Sequence, residues 1–204
     1  MRLYYAPTSP YYRKVWALAV ETGLDARIER QSVDVYAEGS DYQRVNPLGK
    51  IPALVRDDGT LFCDSVVICE YLDSLHDGDP AIPEGPGRWP VVNRAALASG
   101  IMDCALDRMF EKRNRPDAYR WPGQHARQQA KIAATLKVLE ADAVSGALGA
   151  TPDLGALATA AVLSYLDLRF AEDQWRRDVP ALAAWYAAFR QRPSIQAITA
   201  DDPS

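Results

Sequence analysis

Two prolines and a glycine close together constrain the fold of this chain more than any other feature. Residues 46–54 read Asn-Pro-Leu-Gly-Lys-Ile-Pro-Ala-Leu. Because a proline disfavours helical backbone in the residue before it, Asn46 and Ile51 should be extended, and the Ile51-Pro52 bond is a candidate for cis. The loop would lead into a strand at Pro52 and leave the backbone N–H and C=O groups of Ile51 free. An extended peptide can pair with such an edge, although a plain connection before an edge strand explains the pattern equally well.

A helix start follows this loop. Twelve residues after Pro52, Asp64 and Ser65 open a pattern of helical periodicity. The apolar residues of the pattern are Val66, Val67, Ile68, Tyr71, Leu72 and Leu75. Asp and Ser favour N-terminal helix positions, and the N–H groups there attract carboxylates. The sequence therefore predicts a carboxylate-binding helix start near the peptide-pairing loop, with simple helix capping as the alternative.

These two motifs, together with several others, resemble those of the glutathione transferase family. In the glutathione-binding half of that family, a loop like residues 46–54 carries a cis-proline, and a helix opens with an acid-Ser pair like Asp64-Ser65. Residues 8–15, Thr-Ser-Pro-Tyr-Tyr-Arg-Lys-Val, look like the first-helix motif of its serine-type bacterial members. Residues 100–103, 165–169 and 192–194 are similar to its helical half. The resemblance covers nearly the whole chain and implies glutathione as co-substrate, with no metal.

Ser9 is the catalytic residue that the resemblance implies. Its position before Pro10 also fits an ordinary helix N-cap, and the two interpretations are compatible, because a helix N-terminus attracts anions. Lowering the thiol pKa of glutathione from about 8.5 by about two units, worth roughly 2.7 kcal/mol, makes most of it thiolate at pH 7. One charge-assisted hydrogen bond contributes about 1.5–3 kcal/mol. The alternative hydroxyl donors are Tyr4, Tyr5 and Thr8.

The resemblance also implies which residues bind glutathione, namely Lys50, Ile51, Pro52, Asp64 and Ser65. The backbone of Ile51 would pair with the cysteinyl part, in a geometry that Pro52 holds. Ser65 would bind the γ-glutamyl carboxylate, and Asp64 would lie near the α-amino group. Lys50 would touch the glycyl end, although it fits a solvated loop lysine nearly as well.

Further residues concern the second substrate and assembly. In related families an acidic residue at the position of Asp103 reaches the partner subunit's glutathione; an exposed helix position is the alternative. Candidates for the electrophile pocket are Arg108, Arg113, Tyr165, Arg169 and Trp175. We expect a twofold homodimer between the N-terminal domain of one chain and the first long C-terminal helix of the other. A stripe of Met102, Leu106 and Met109 on that helix would serve the dimer or pack within the domain.

The composition excludes several classes of function. The chain has 204 residues, 23 basic and 27 acidic, and no long basic cluster, which argues against nucleic acid and anionic membranes as partners. Three cysteines without Cys-x-x-Cys and two distant histidines predict neither a disulfide framework nor a zinc site, and they fit a reducing compartment. The longest apolar run, about residues 154–166, is too short to span a bilayer, and no signal core opens the sequence. We therefore expect a soluble, cytoplasmic protein.

The order of predicted elements divides the chain into two domains. Strands are predicted at residues 3–5, 28–35, 53–55 and 61–63, and helices at residues 10–22 and 64–76. This layout is that of an α/β thioredoxin-like domain with a mixed four-stranded sheet, over residues 1–76. Residues 77–87, with three prolines, three glycines and almost no apolar surface, form the linker. An all-helical domain occupies residues 88–204.

Four helices are predicted in that second domain, at residues 89–112, 124–144, 153–170 and 180–190. The third is apolar nearly all round, so it should be the buried centre of the domain. Asp153 is a candidate N-cap for this helix, but Ala156 at the third helical position cannot complete a capping box.

The main expectation is a glutathione transferase, in which glutathione thiolate attacks a small hydrophobic electrophile held between the two domains. A glutathione-dependent thiol-disulfide reductase is the second hypothesis, but such an enzyme needs a cysteine where Ser9 stands. A non-catalytic glutathione-binding or interaction protein with the same fold is the third.

Overall fold

A computed structural model describes residues 1–200 and residue 202 of the chain. Its sheet has four strands in the order β2-β1-β3-β4. The strands are β1 (Arg2–Tyr5), β2 (Glu29–Ser32), β3 (Ala53–Val55) and β4 (Leu61–Phe62). β1 pairs with β2 in parallel, whereas the β1–β3 and β3–β4 pairs are antiparallel. The predicted mixed four-stranded sheet is therefore confirmed.

Eight α-helices accompany the sheet in the described part of the chain. They are α1 (Pro10–Glu21), α2 (Tyr42–Val45), α3 (Ser65–Asp73), α4 (Arg88–Arg113), α5 (Pro122–Ser145), α6 (Leu154–Arg169), α7 (Pro180–Phe189) and α8 (Pro193–Thr199). α1 and α2 lie between strands, α3 follows β4, and the last five helices come after α3. This arrangement confirms an α/β thioredoxin-like half followed by an all-helical half.

The sheet is buried on both faces. On one face, Leu3 and Leu54 pack in the main core together with Val15 of α1 and Ile68 of α3, and all four side chains have no exposed surface. On the other face, a smaller cluster contains Tyr4, Tyr42 and Ala53. Side chains alternate along β1, so Leu3 and Tyr4 enter different clusters.

α6 is the centre of the helical half, as its sequence predicts. All its residues from Leu154 to Leu166 are buried. Gly155 lets α4 pass very close, because a Cβ atom there would lie 2.9 Å from the carbonyl oxygen of Val91. Asp153 caps the helix by accepting a hydrogen bond from the Ala156 N–H at 2.7 Å. Only the reciprocal half of a capping box is missing, as expected.

The segment between the two halves is attached to both of them. Asp73 at the end of α3 accepts hydrogen bonds from the N–H groups of Ala81 and Ile82, at 2.7 and 3.0 Å. The Ala81 carbonyl accepts a 2.9 Å bond from the N–H of Leu154. Both Ala81 and Ile82 are buried. The two apolar residues of residues 77–87, Ala81 and Ile82, are therefore held against the folded halves.

Three further details differ from the sequence interpretation. The second strand is shorter than residues 28–35, because only Glu29–Ser32 pair with β1, and all four side chains are exposed. The chain does not end its helices at residue 190, because Pro193 begins α8. The stripe on α4 packs within the chain, with Met102 fully buried and Leu106 and Met109 against the main core. That stripe gives no support to a dimer.

By length and composition, none of the described helices alone could cross a membrane. Leu154–Arg169 and Ala171–Asp178, bent by 96° from each other, pass that test only as a pair. Among residues 1–200 and 202, no group of His, Cys, Asp and Glu side chains could hold a metal ion.

Candidate functional site

Strand register brings the three predicted site segments to one end of the sheet. Tyr4 lies opposite Ala53 in the antiparallel β1–β3 pair, so the end of β1 adjoins the start of β3. Leu54 lies opposite Phe62, so the end of β4 reaches the same place. Ser9 follows β1, Ile51-Pro52 precedes β3, and Asp64-Ser65 follows β4. All three segments therefore meet at this end, which we call the sheet-end site.

The loop before β3 is fixed through one carbonyl oxygen. The C=O group of Lys50 accepts hydrogen bonds from the Tyr42 hydroxyl and the Asn46 side-chain amide, both at 2.7 Å. Both side chains are buried, and burial raises the pKa of Tyr42 to about 12, so its hydroxyl remains a donor. Sequence reasoning missed this role of Tyr42, which is eight residues from its acceptor.

The Ile51-Pro52 bond is cis, as predicted. Asn46 has extended backbone angles, φ −124° and ψ 107°, as expected for a residue before proline. Within residues 1–200 and 202, neither the N–H nor the C=O group of Ile51 has a hydrogen-bond partner. Pro52 is buried and the Lys50 side chain is exposed. The loop thus presents a free backbone edge with a lysine beside it.

The start of α3 contributes the second part of the site. Asp64 is the N-cap, and its Oδ1 atom accepts a hydrogen bond from the Val66 N–H at 2.8 Å. Ser65 is the first helical residue and is only 3% exposed. Its side chain has no hydrogen-bond partner among the described residues. Capping accounts for Asp64 in the structure, whereas it leaves the Ser65 hydroxyl unused.

Ser9 is the N-cap of α1, and Pro10 is the first helical residue, as predicted. The Ser9 oxygen accepts a long hydrogen bond, 3.4 Å, from the Tyr12 N–H. A serine hydroxyl has one hydrogen to donate as well as two lone pairs, so capping leaves its hydrogen free. Ser9 therefore combines a free O–H donor with the positive end of a helix.

The alternative hydroxyl donors have different surroundings. Tyr4 packs against Tyr42 with ring centres 5.7 Å apart, on the sheet face opposite α1. Tyr5 packs against Tyr12, with ring centres 4.3 Å apart. Thr8 lies in the turn just before Ser9 and is partly buried. Of these side chains, only Ser9 caps a helix.

The surface between the two halves begins beside Ser9. The hydroxyl of Tyr11, in the first turn of α1, donates a very short hydrogen bond to Asp103 of α4. Burial and this bond raise the pKa of Tyr11 well above its usual value. Farther along α4, Phe110 meets the ring of Tyr36 edge-on at 6.0 Å. We call the region lined by Tyr11, Tyr36, Asp103 and Phe110 the interdomain surface.

A pocket of about 680 Å³ adjoins the interdomain surface at Phe110. It is lined by Asp107, Phe110, Glu111, Asn114, Arg115, Pro116, Trp121 and Gln124. Its two carboxylates are already engaged. Asp107 accepts a bond from Gln128, and Glu111 accepts bonds from Arg115 and from the Trp121 N–H. The lining is therefore part aromatic and part polar.

Two residues predicted for the electrophile pocket have structural partners instead. Arg108 is buried and forms a two-pronged ion pair with Asp173, at 2.5 and 3.0 Å. The Trp175 indole donates to Asp167 at 2.9 Å. Both contacts lie within the helical half. Of the other three candidates, Tyr165 is buried, Arg169 is partly exposed and Arg113 is exposed.

Two of the three cysteines, Cys69 and Cys104, are not activated as nucleophiles. Cys69 is fully buried, and burial raises the pKa of its thiol to about 12. Burial also raises the pKa of Cys104, and Cys63 is partly buried ahead of α3. A reactive cysteine needs a lowered pKa and access to solvent.

Comparisons with known proteins agree on one family. Residues 3–80 match the family described as glutathione S-transferase, N-terminal domain, and residues 122–188 match glutathione S-transferase, C-terminal domain. The chain is 34% identical over 184 residues to the uncharacterized GST-like protein YibF of Escherichia coli K12, covering 89% of this chain and 90% of YibF.

Two solved structures are similar over almost their whole length. One is a glutathione transferase family member from Pseudomonas fluorescens Pf-5 with bound glutathione, with 42% identity, a TM-score of 0.92 and 97% of each chain covered. The other is a glutathione S-transferase from Methylobacillus flagellatus KT with glutathione bound, with 32% identity and a TM-score of 0.90. That match covers 97% of this chain and 98% of the other.

Proposed function

Because this chain belongs to the glutathione transferase superfamily, we propose that it binds glutathione at the sheet-end site and transfers its thiolate to a small electrophile. The observation that carries the proposal is the strand register, which brings Ser9, Ile51 and Ser65 to the same end of the sheet. The two solved relatives with glutathione bound support the same ligand.

Each part of glutathione meets a suitable group. The free N–H and C=O groups of Ile51 pair with the cysteinyl backbone as one more strand would. Ser65 binds the γ-glutamyl carboxylate with its hydroxyl and helix N-terminal N–H, while Asp64 attracts the α-amino group. Pro52 holds the loop, and Lys50 reaches the glycyl carboxylate.

Ser9 activates the thiol. Its oxygen keeps the capping bond from Tyr12 while its O–H donates to the sulfur, so capping and catalysis use different parts of the hydroxyl. This bond favours the thiolate over the neutral thiol by about 1.5–3 kcal/mol, and the dipole of α1 adds about 0.3–1 kcal/mol. Together they are enough to lower the thiol pKa by about two units.

The electrophile lies on the interdomain surface and extends toward the pocket at Phe110. Tyr11, Tyr36 and Phe110 offer aromatic area there, which suits a hydrophobic substrate. Disulfide reduction is less consistent with this site, because Ser9 occupies the place of the required cysteine and Cys69 is buried with a raised pKa. The three free cysteines fit action in the cytoplasm.

We also propose a homodimer, now from a different surface than the α4 stripe. Val66 and Val67 on α3 are 46% and 44% exposed, and Trp89 at the start of α4 is 69% exposed. An ion pair between Glu70 and Arg88, at 2.8 Å, joins the two helices next to these side chains. An exposed apolar area of this kind is typical of a protein interface.

Calorimetry with glutathione tests the proposed function. The protein should bind it, and Ser65→Ala should weaken binding by about 1–2 kcal/mol, or roughly 5–30-fold, through loss of a hydrogen bond to a carboxylate. Ser145→Ala, an exposed serine at the end of α5, is the matched control and should bind normally. Absence of binding at millimolar glutathione by the folded protein would refute the proposal.

A further inference from the structure

Two hydrogen bonds set how α1 lies against α4. The Lys14 ammonium donates to the Ser99 hydroxyl at 3.2 Å, and the Tyr11 hydroxyl donates to Asp103. Because the residue numbers fall along α1 as they rise along α4, the two helices run in opposite directions where they meet. Asp107 is one helical turn, about 6 Å, farther along α4 than Asp103. It therefore continues this row past the start of α1, and there it lines the pocket that adjoins the interdomain surface.

Asp107 carries a negative charge that no cation of the described chain balances. Its Oδ2 atom accepts a 3.0 Å bond from the neutral amide of Gln128, and its Oδ1 atom has no hydrogen-bond partner among residues 1–200 and 202. The neighbouring Arg108 is paired with Asp173 instead, and Lys131 on α5 forms no ion pair with Asp107. A carboxylate with a free oxygen at the wall of a pocket favours a positively charged donor from outside the chain.

The amide of Gln128 leaves a second acceptor unused at the same wall. Gln128 is 5% exposed, and its Oε1 atom has no hydrogen-bond partner in the part of the chain that the structure describes. The side chain is directed at the pocket, because its nitrogen bonds Asp107 in the lining, and Gln124, one turn earlier on α5, is also in the lining. Buried polar atoms without a partner are rare. Two oxygen atoms at this wall, one of them buried, therefore lack a donor.

The rest of the lining suits an organic cation. Phe110 and Trp121 contribute aromatic rings, and Trp121 is 63% exposed, so its ring is open to a ligand. Ammonium groups are attracted to the faces of aromatic rings. The other two charges of the lining cancel, because Glu111 is paired with Arg115 at 2.8 Å. The pocket thus combines aromatic surface with the one unbalanced charge of Asp107.

We propose that this pocket recognises a protonated amine on the electrophile, and that Asp107 is the residue that determines this specificity. The inference rests on the proposed transferase function. The apolar part of the electrophile lies on the interdomain surface, with its reacting carbon toward the sulfur at Ser9. Its ammonium group donates to the Oδ1 atom of Asp107, while the rings of Phe110 and Trp121 lie against the cation.

The test compares two glutathione conjugates that differ in charge and have nearly the same shape. They are S-(4-aminomethyl-2-nitrophenyl)glutathione, whose amine is protonated at pH 7, and S-(4-hydroxymethyl-2-nitrophenyl)glutathione. Calorimetry with the full chain measures the affinity for each. We expect the ammonium conjugate to bind about tenfold more tightly, which corresponds to about 1.4 kcal/mol. Asp107→Asn, which keeps the shape and an acceptor for Gln128, should remove this preference and leave the affinity for the hydroxymethyl conjugate unchanged within twofold.

The controls separate this specificity from general effects. Asp79→Asn removes the same charge from an exposed position between the two halves and should retain the tenfold preference. Trp121→Leu removes the ring but keeps the backbone N–H that bonds Glu111, and it should reduce the preference in part.

Three results would contradict the inference, and a different one would contradict the proposed function. Equal affinities of the unmodified protein for the two conjugates, or a preference that survives Asp107→Asn, would overturn the inference alone. Binding of glutathione but of neither conjugate would overturn it together with the place given to the electrophile. Failure of the folded protein to bind glutathione itself would overturn the proposed function.

Discussion

Glu21 at the end of α1 links the thioredoxin-like half to the start of α8. Removing its charge should lower the stability of the fold by a predictable amount. The carboxylate accepts two hydrogen bonds from Arg192, each at 2.8 Å, and one from the Ser194 hydroxyl at 2.5 Å. The Glu21 side chain is 13% exposed and that of Arg192 is 33% exposed. Glu21→Gln removes the charge but keeps the shape.

The magnitude follows from these contacts. Hydrogen bonds to a charged group contribute about 1.5–3 kcal/mol, and the exposure of Arg192 weakens the Coulombic part, so we expect a loss of about 2 kcal/mol. For a chain of this size, that loss lowers the melting temperature by about 4–8 °C. Glu38→Gln, at an exposed position, is the matched control and should change stability by less than about 0.5 kcal/mol.

The loss should depend on pH in one direction. Burial alone would raise the pKa of Glu21, but the bonds and charge of Arg192 and Ser194 outweigh it and lower the pKa. A lowered folded-state pKa means that the stabilisation is fully present above the unfolded value, about 4.3, and is lost as the pH falls through the folded value. Urea unfolding should therefore show a constant difference between the two proteins from pH 7 to about 5.5, and a smaller one near pH 4. A difference that stays equal or grows as the pH falls would refute this reasoning.

Three further predictions concern packing and assembly. Asp202→Asn removes the counter-charge of Arg13, whose side chain has no exposed surface, and should destabilise the fold by about 3–5 kcal/mol in urea unfolding; a loss below 1 kcal/mol would contradict the buried pair. Gly155→Ala should lower the free energy of unfolding by about 1–3 kcal/mol, because the added methyl would lie 2.9 Å from the backbone oxygen of Val91. An unchanged melting temperature would show that α4 and α6 have room to move apart. Light scattering should give the mass of a dimer at tens of micromolar protein and of a monomer for Val67→Asp, whereas a monomeric unmodified chain would exclude the proposed interface.

Features set by neighbouring residues could be predicted from the sequence. The extended Asn46, the cis bond before Pro52 and the Ser9 cap of α1 each depend on a residue and the one or two that follow it. The buried α6 also follows from its own apolar composition. In these cases the local chemistry and the folded environment favour the same conformation.

Features set by distant residues could not be predicted. Arg13 is buried because Asp202 lies against it, 189 residues away along the chain. Ala81 and Ile82 are buried because Asp73 and Leu154 hold their backbone, although their surroundings in sequence suggest an open linker. The candidate site likewise depends on strand pairing between segments that are distant in sequence, so its assembly could not be predicted from local patterns.

Some local signals have two meanings. The sequence predicts a last helix that ends at residue 190, before a proline, but proline is equally suited to the first position of a helix, and α8 begins at Pro193. Arg108 is of a residue type that suits a substrate pocket, yet its guanidinium forms an ion pair with Asp173. Only the tertiary partner decides between the two meanings.

The pKa of the thiol of bound glutathione tests the central claim most directly. Titration of thiolate absorbance against pH should give a pKa about two units below the free value of about 8.5, and Ser9→Ala should raise it by about one to two units. Loss of the cap costs about 1 kcal/mol of stability, so the variant must be shown to be folded, and Tyr5→Phe is the control that should leave the pKa unchanged. Should Ser9→Ala bind glutathione with the same low thiol pKa as the unmodified protein, Ser9 is only a helix cap and the account of its chemistry is wrong.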